Sequence, residues 1–305
     1  MRADHCLLIG FLTCAGVLSG CRMPRSDGSA PPELVKSRYY SQQAAAAIEQ
    51  TQWEQAEKLL TQALKAYPKD TEARRYYAEV LWHRGATSEA LSQLEEARKQ
   101  AEDEHGLAGN GAALCARIAE MRLAAGQVEA ARVRAEQAID LDPKLAAAWV
   151  VRGRVMRATQ QPQQALADYH RALGYAPDDR QILLEVAELY RELGQPQRAI
   201  VTLQNLSDTY GLGEEPQQVL YLLGLAYEAA QRYDNAADSF TTALERGPPT
   251  PDLLYRLGEA QMAAGRPAAA AAAAHEALAL DPQHRPSRDL LGRLEVAQQP
   301  TGPLR

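Results

Sequence analysis

The sequence predicts an all-α fold, an open stack (a solenoid) of antiparallel helix pairs, and three observations predict it. First, the 305 residues repeat: counted in units of 34, the starts fall at Ser37, Thr71, Ala112, Ala146, Arg180, Gln217 and Pro251. Second, small residues keep register. Ala or Gly fills the eighth position throughout (Ala44, Ala78, Ala119, Gly153, Ala187, Gly224, Gly258), and Ala fills the twentieth in all seven units (Ala56, Ala90, Ala131, Ala165, Ala199, Ala236, Ala270). The twenty-seventh position is Ala63, Ala97, Ala138, Ala172, Ala243 and Ala277, with Leu206 departing. Seven alanines in register by chance are on the order of one in 10⁵, and such a period marks a repeat architecture. Third, each unit holds two apolar-periodic stretches of about a dozen residues, joined by a short polar turn. Antiparallel helices approach closely only where the crossing residues lack bulk, which is what the fixed small residues provide.

Taken in order, residues 1–20 read as a secretion leader: Arg2, an apolar stretch from Cys6 to Leu18, then small residues. The run is shorter than the roughly 18 apolar residues of a spanning helix. It finishes Leu18-Ser19-Gly20-Cys21, which resembles the lipobox of bacterial lipoproteins. The resemblance implies cleavage before Cys21 and acylation of its thiol. Residues 21–36, rich in Pro, Ser and Gly and without helical period, read as a tether. Arg22 rather than Asp follows the cysteine, which by analogy with enterobacterial sorting favours the periplasmic face of the outer membrane. Cys6 and Cys14 leave with the leader and Cys21 carries lipid, so Cys115 remains alone and no intramolecular disulfide is expected. Cys115 falls on the inward side of its helix and reads as a small buried hydrophobe.

The seven units then span 37–70, 71–104, 112–145, 146–179, 180–213, 217–250 and 251–284. Gly85, Gly126, Gly194 and Gly265 sit in the turns, where a helix ends most cheaply in a left-handed residue. Pro162, Pro196 and Pro267 open second helices, where the missing N–H costs nothing. Pro68, Pro143, Pro177, Pro248 and Pro282 stop them, while Glu102 and Gly211 replace proline just ahead of the two insertions, predicting looser or longer turns there. Ala268–Ala274 falls where the last second helix belongs. Residues 285–297 read as a polar-faced helix closing the stack, with a tail to residue 305.

The sixth unit carries Leu220, Leu223, Gly224, Tyr227, Ala236, Phe240, Ala243 and Pro248. This resembles the tetratricopeptide repeat, and the resemblance runs over residues 37–284, with Arg152 standing where the fourth unit should hold a leucine. It implies a right-handed superhelix of seven helix-turn-helix units whose first helices line a concave surface. In that family the second, fifth, ninth, twelfth and thirteenth positions face inward. The candidate partner-binding residues are therefore Arg75, Glu79, Trp82, Arg154, Arg157, Glu188, Arg191, Tyr221, Glu228, Tyr255, Glu259 and Met262. Aromatic and Met side chains among charges suit a peptide anchored by a few apolar residues. Tyr221 and Tyr255 share the fifth position of consecutive units, which predicts that they are neighbours.

A formal charge of −6 and a pI near 5.6 argue against a nucleic-acid partner, which needs a basic face. The glycine-rich Gly106–Gly111 follows no strand and precedes no Lys-Ser or Lys-Thr, so it reads as linker rather than phosphate loop. There is no His-Glu-x-x-His, Cys-x-x-Cys or Gly-x-Ser-x-Gly. No catalytic residue, metal, cofactor or small-molecule substrate is expected. The sequence thus predicts a non-catalytic scaffold, lipid-anchored through Cys21 in a bacterial envelope and holding a peptide or protein partner. It resembles lipoproteins that assemble pilus secretins, support polysaccharide export or bring cell-wall enzymes to their targets. A soluble periplasmic or secreted adaptor, or a non-catalytic subunit of an enzyme complex, is the alternative.

Overall fold

The computed structural model describes residues 30–105 and 110–298; the expected leader, Cys21, most of the expected tether, residues 106–109 and the tail lie outside them. The described residues form fifteen helices and no strand. These are α1 (Pro32–Glu49), α2 (Trp53–Ala66), α3 (Thr71–His83), α4 (Thr87–His105), α5 (Gly111–Ala124), α6 (Val128–Leu141), α7 (Ala146–Ala158) and α8 (Pro162–Tyr175). They continue with α9 (Arg180–Glu192), α10 (Pro196–Asp208), α11 (Gln217–Ala229), α12 (Tyr233–Glu245), α13 (Pro251–Ala263), α14 (Pro267–Leu280) and α15 (Arg285–Gln298). From α1 to α14 the odd-numbered helices are the first of each of seven pairs, each pair packs on the next, and α15 closes the stack.

The turn within every pair is the same device. Seven bonds of 2.8–2.9 Å run from the second residue past the cap back to the last turn of the first helix, among them Ala86 N–H to the Leu81 carbonyl and Arg232 N–H to that of Tyr227. This is a Schellman closure, and it needs a left-handed residue just before that donor. Gly85, Gly126, Gly194 and Gly265 supply it with φ between 64° and 81°. In the other three units the place is taken by Thr51, Gln160 and Gln231 with φ of 58–59°. Proline opens α8, α10, α13 and α14 as well as α1. The side chains of Asp70, Asp179 and Thr250 cap α3, α9 and α13 by accepting their free N–H groups.

The alanines of the twentieth position are all fully buried, as is every alanine of the twenty-seventh, with Leu206 1% exposed in the exceptional unit. The eighth position answers to the twenty-fourth across the pair. Where the latter is aromatic, the former is glycine: a Cβ on Gly153 would lie 2.6 Å from the Tyr169 ring, and one on Gly224 would fall on the ring of Phe240. In the last pair a Cβ on Gly258 would lie 2.7 Å from Leu290 of α15, so the closing helix fills the room that the alanines of α14 leave. Leu290 and Leu294 are buried against Ala270 and Ala274.

Two boundaries differ from expectation. Residues 32–36 are helical, so α1 starts five residues before Ser37 and the expected tether is shorter by that much. Pro32 at the first turn and Glu33 beside the positive helix end start a helix that apolar period alone does not reveal. Without a proline at Glu102, α4 runs on to His105.

Candidate functional site

The inner face is built from the odd helices, and its charged residues mostly engage one another. The Arg117 guanidinium donates to both Glu79 oxygens, through Nε at 2.7 Å, and also pairs with Glu120. Arg154 donates to Glu120 at 3.0 Å on one side and to Glu185, through Nε at 2.8 Å, on the other. Arg157 pairs with Glu192 and reaches Glu188 at 3.7 Å. A chain of carboxylates and guanidiniums therefore runs α3–α5–α7–α9. It resumes with Glu228–Arg256 at 3.5 Å and Glu259–Arg293, joining α11, α13 and α15. Apart from Arg117–Glu120 within α5, each of these pairs joins residues roughly one repeat apart. Interactions of this kind hold neighbouring units in register more than they stabilise the whole, because exposed pairs contribute about 1 kcal/mol or less.

This places the candidates individually. Glu79, Arg154, Arg157, Glu188, Glu228 and Glu259 are partners in inter-unit pairs, a role their positions did not announce. Arg75 lies over its neighbour Tyr76, 4.4 Å from the ring centroid. Trp82 and Met262 are partly buried against core clusters. Arg191 is exposed and has no ion-pair partner among the described residues. Tyr221 packs on Phe240, centroids 5.8 Å apart, and Tyr255 on His284 at 6.0 Å. The two tyrosines form no ring pair with each other; each ring has a different aromatic neighbour. Sequence reasoning missed Arg117, Glu120, Glu185, Glu192, Arg256 and Arg293. The signal that finds them is opposite charge repeated 28–38 residues apart.

Between α7 and α9 the face opens into a cleft of about 760 Å³ lined by Arg154, Arg157, Glu185, Glu188 and Glu192. A smaller cleft of about 340 Å³ lies between the starts of α11 and α13, lined by Gln217, Gln218, Tyr221, Thr250, Asp252 and Leu253. Burial pushes the Glu228 carboxyl above the usual carboxylate range, with Glu259 adding to the effect and Arg256 opposing it. On the other side of the stack, burial raises Glu95 but hydrogen bonds and charge from Arg122, Arg134 and Arg98 outweigh it and hold the carboxyl low. Burial also pushes up the Cys115 thiol, which sits inside the core as expected. The leucine missing from the fourth unit is explained too. Arg152 donates in bidentate fashion to buried Asp168, through Nε at 2.8 Å, so a paired charge replaces an apolar contact.

One arrangement has the look of a hydrolase triad. His284 Nε2 lies 3.1 Å from Asp252 and its Nδ1 lies 2.8 Å from Ser287 Oγ. Ser287 is 0% exposed, so its hydroxyl cannot meet a substrate, and it sits in the first turn of α15 just after His284. The trio ties that helix start to α13. Among the described residues no group of His, Cys, Asp and Glu could hold a metal, and no helix is long and apolar enough to cross a membrane.

Comparison with known proteins places this architecture. Tetratricopeptide repeat profiles match residues 47–118 and 156–218, and again 221–285, together about two thirds of the chain. No curated protein matches. Among solved structures, the C-terminal part of a repeat protein from Cytophaga hutchinsonii is similar with a TM-score of 0.63, at 15% identity over 84% of this chain and 99% of that one. YrrB, described as a TPR protein with an unusual peptide-binding site, gives 0.57 at 18% identity over 64% and 97%. PilF of Pseudomonas aeruginosa gives 0.53 at 15% identity over 86% and 100%. Identities this low speak for the fold alone. The period, the small-residue register, the closures and the matching profiles agree: the chain belongs to the tetratricopeptide repeat family.

Proposed function

We propose that this protein is a non-catalytic scaffold that holds a peptide or partner protein on the inner face of its repeat stack while lipid on Cys21 fixes it to the bacterial envelope. Proteins of this family are generally interaction scaffolds, and one similar structure is described as having a peptide-binding site. The observation that carries the reading is the continuous first-helix face. Its charges bind unit to unit, so the face is held in shape, and partly buried Leu184, Tyr221, Leu225, Tyr255 and Met262 remain along it as contact area. A preformed surface binds with little ordering cost. The anchor rests on Leu18-Ser19-Gly20-Cys21, and lasting attachment needs more than one acyl chain, as lipoprotein maturation provides. We further propose that the protein helps assemble an envelope complex at the periplasmic face of the outer membrane.

Two experiments test this. Cys21→Ser should leave an unprocessed precursor that incorporates no labelled fatty acid; normal maturation would remove the anchor from the account. Affinity capture from crosslinked cells should recover a protein partner with the wild type. A variant with its inner face altered by Leu225→Arg should lose that partner while keeping its helical content. Undiminished capture by that variant would contradict the groove.

A further inference from the structure

The charge chain along the inner face has one break. The ninth position is charged in units two to five and in unit seven (Glu79, Glu120, Arg154, Glu188, Glu259), and Arg293 continues it in α15, but in the sixth unit it is Leu225. Among the described residues no ion pair joins α9 to α11 on this face. What meets there is apolar: Leu184 of α9, with Tyr221 and Leu225 of α11, all partly buried against the main core cluster. The cleft at Tyr221, Thr250 and Asp252 opens along the α13 side of the same patch.

On its α13 side the patch is bordered by two carboxylates, Glu228 and Glu259, each facing an arginine. Glu228, one turn beyond Leu225, keeps 24% of its side chain exposed, and Arg256 reaches it only at 3.5 Å from a side chain that is 41% exposed. Glu259 lies close enough to add repulsion. A desolvated carboxylate with a loose partner gains from a second cation. Arg191 is exposed one unit earlier, so an incoming cation is favoured at the Glu228 end and disfavoured at the Arg191 end.

We propose that the break between the fifth and seventh units is the partner-binding site, and that its ligand is an apolar peptide segment carrying a lysine or arginine that docks on Glu228. Leu184, Tyr221 and Leu225 form the floor for the apolar residues. Glu228 reads the charge, and the charge chain of units two to five is framework rather than binding surface. This inference rests on the proposed groove function and narrows it to a place and a chemistry.

The test is to immobilise the full chain in detergent and select from a phage-displayed library of random dodecapeptides. The recovered peptides should combine apolar residues with at least one Lys or Arg. A labelled synthetic copy of the strongest should lose tenfold or more in affinity with Glu228→Gln and with Leu225→Arg, each variant keeping wild-type circular dichroism. Changing the peptide's cation to Glu should weaken it on the wild type, and Glu228→Lys should restore that peptide. Arg157→Gln should leave the binding unchanged. Acidic peptides, or affinity indifferent to residues 225 and 228, would overturn the site. If affinity falls instead with Arg157→Gln, the groove function stands and the location is wrong. If no peptide is recovered, or none responds to any of these changes, the groove function fails with it.

Discussion

Replacing Gly224 by alanine is the sharpest probe of how each helix pair closes. A Cβ there would fall on the ring of fully buried Phe240, and that ring is also packed by Tyr221 at 5.8 Å. Overpacking a well-filled core costs about 1–3 kcal/mol, whereas alanine in a helix interior gains up to about 1 kcal/mol over glycine. The steric loss wins, leaving Gly224→Ala destabilised by about 1 kcal/mol. Phe240→Leu alone empties part of the space and costs about 1–2 kcal/mol. Together they recreate the pairing already present in Ala44 with Leu60, Ala78 with Leu94 and Ala187 with Leu203, so the double variant should lose much less than the sum. A favourable coupling of about 1.5 kcal/mol is expected, well beyond the additivity of independent sites. Urea unfolding of the two single variants and the double gives the cycle. Hydrogen exchange over 217–250 shows whether the change is local, since stability in such stacks spreads by nearest neighbours. Additive losses within about 0.5 kcal/mol, or a Gly224→Ala variant more stable than wild type, would refute the close approach.

Other expectations follow from single features. Thr51 holds a left-handed φ of 59° that a β-branched residue adopts at a cost of about 1–2 kcal/mol, so Thr51→Gly should raise the urea midpoint although glycine is usually disfavoured. Ala236, fully buried between α11 and α12, leaves no room for a branched side chain; Ala236→Leu should cost about 1–3 kcal/mol and loosen exchange protection in the fifth and seventh units. Glu95 is held low by three arginines, so its folded value lies below the unfolded one. Its contribution is full above the unfolded value near 4.5 and is lost as pH falls through the lower folded one. Glu95→Gln should destabilise at pH 7 by about 2 kcal/mol and flatten the loss of stability in acid, and a variant with wild-type acid sensitivity would count against the cluster.

The alanine register was legible because sterics act at a fixed distance: one methyl too many at Ala56 or Ala236 breaks a pair, and every unit repeats the constraint. The inner-face positions were legible only as positions. Whether Arg154 faces a partner or Glu185 depends on the offset between neighbouring units, a long-range quantity that no single unit encodes. The same holds for Tyr221 and Tyr255, whose shared register suggested a pair while Phe240 and His284 claim their rings. Arg152 looked like a flaw in the pattern until Asp168, sixteen residues on, supplied its compensation. The start of α1 at Pro32 escaped because its first turn rests on a proline and an acidic residue at the helix start and buries none of its residues.

The central claim is that this stack binds a partner on the face of its first helices. Photocrosslinking in living cells tests it most directly. A benzophenone amino acid is placed at Leu225 on α11 and, separately, at Val201, 56% exposed on the second helix α10. The account predicts a discrete crosslinked protein from position 225 and none from position 201. A partner trapped at 201 and absent at 225 would contradict it.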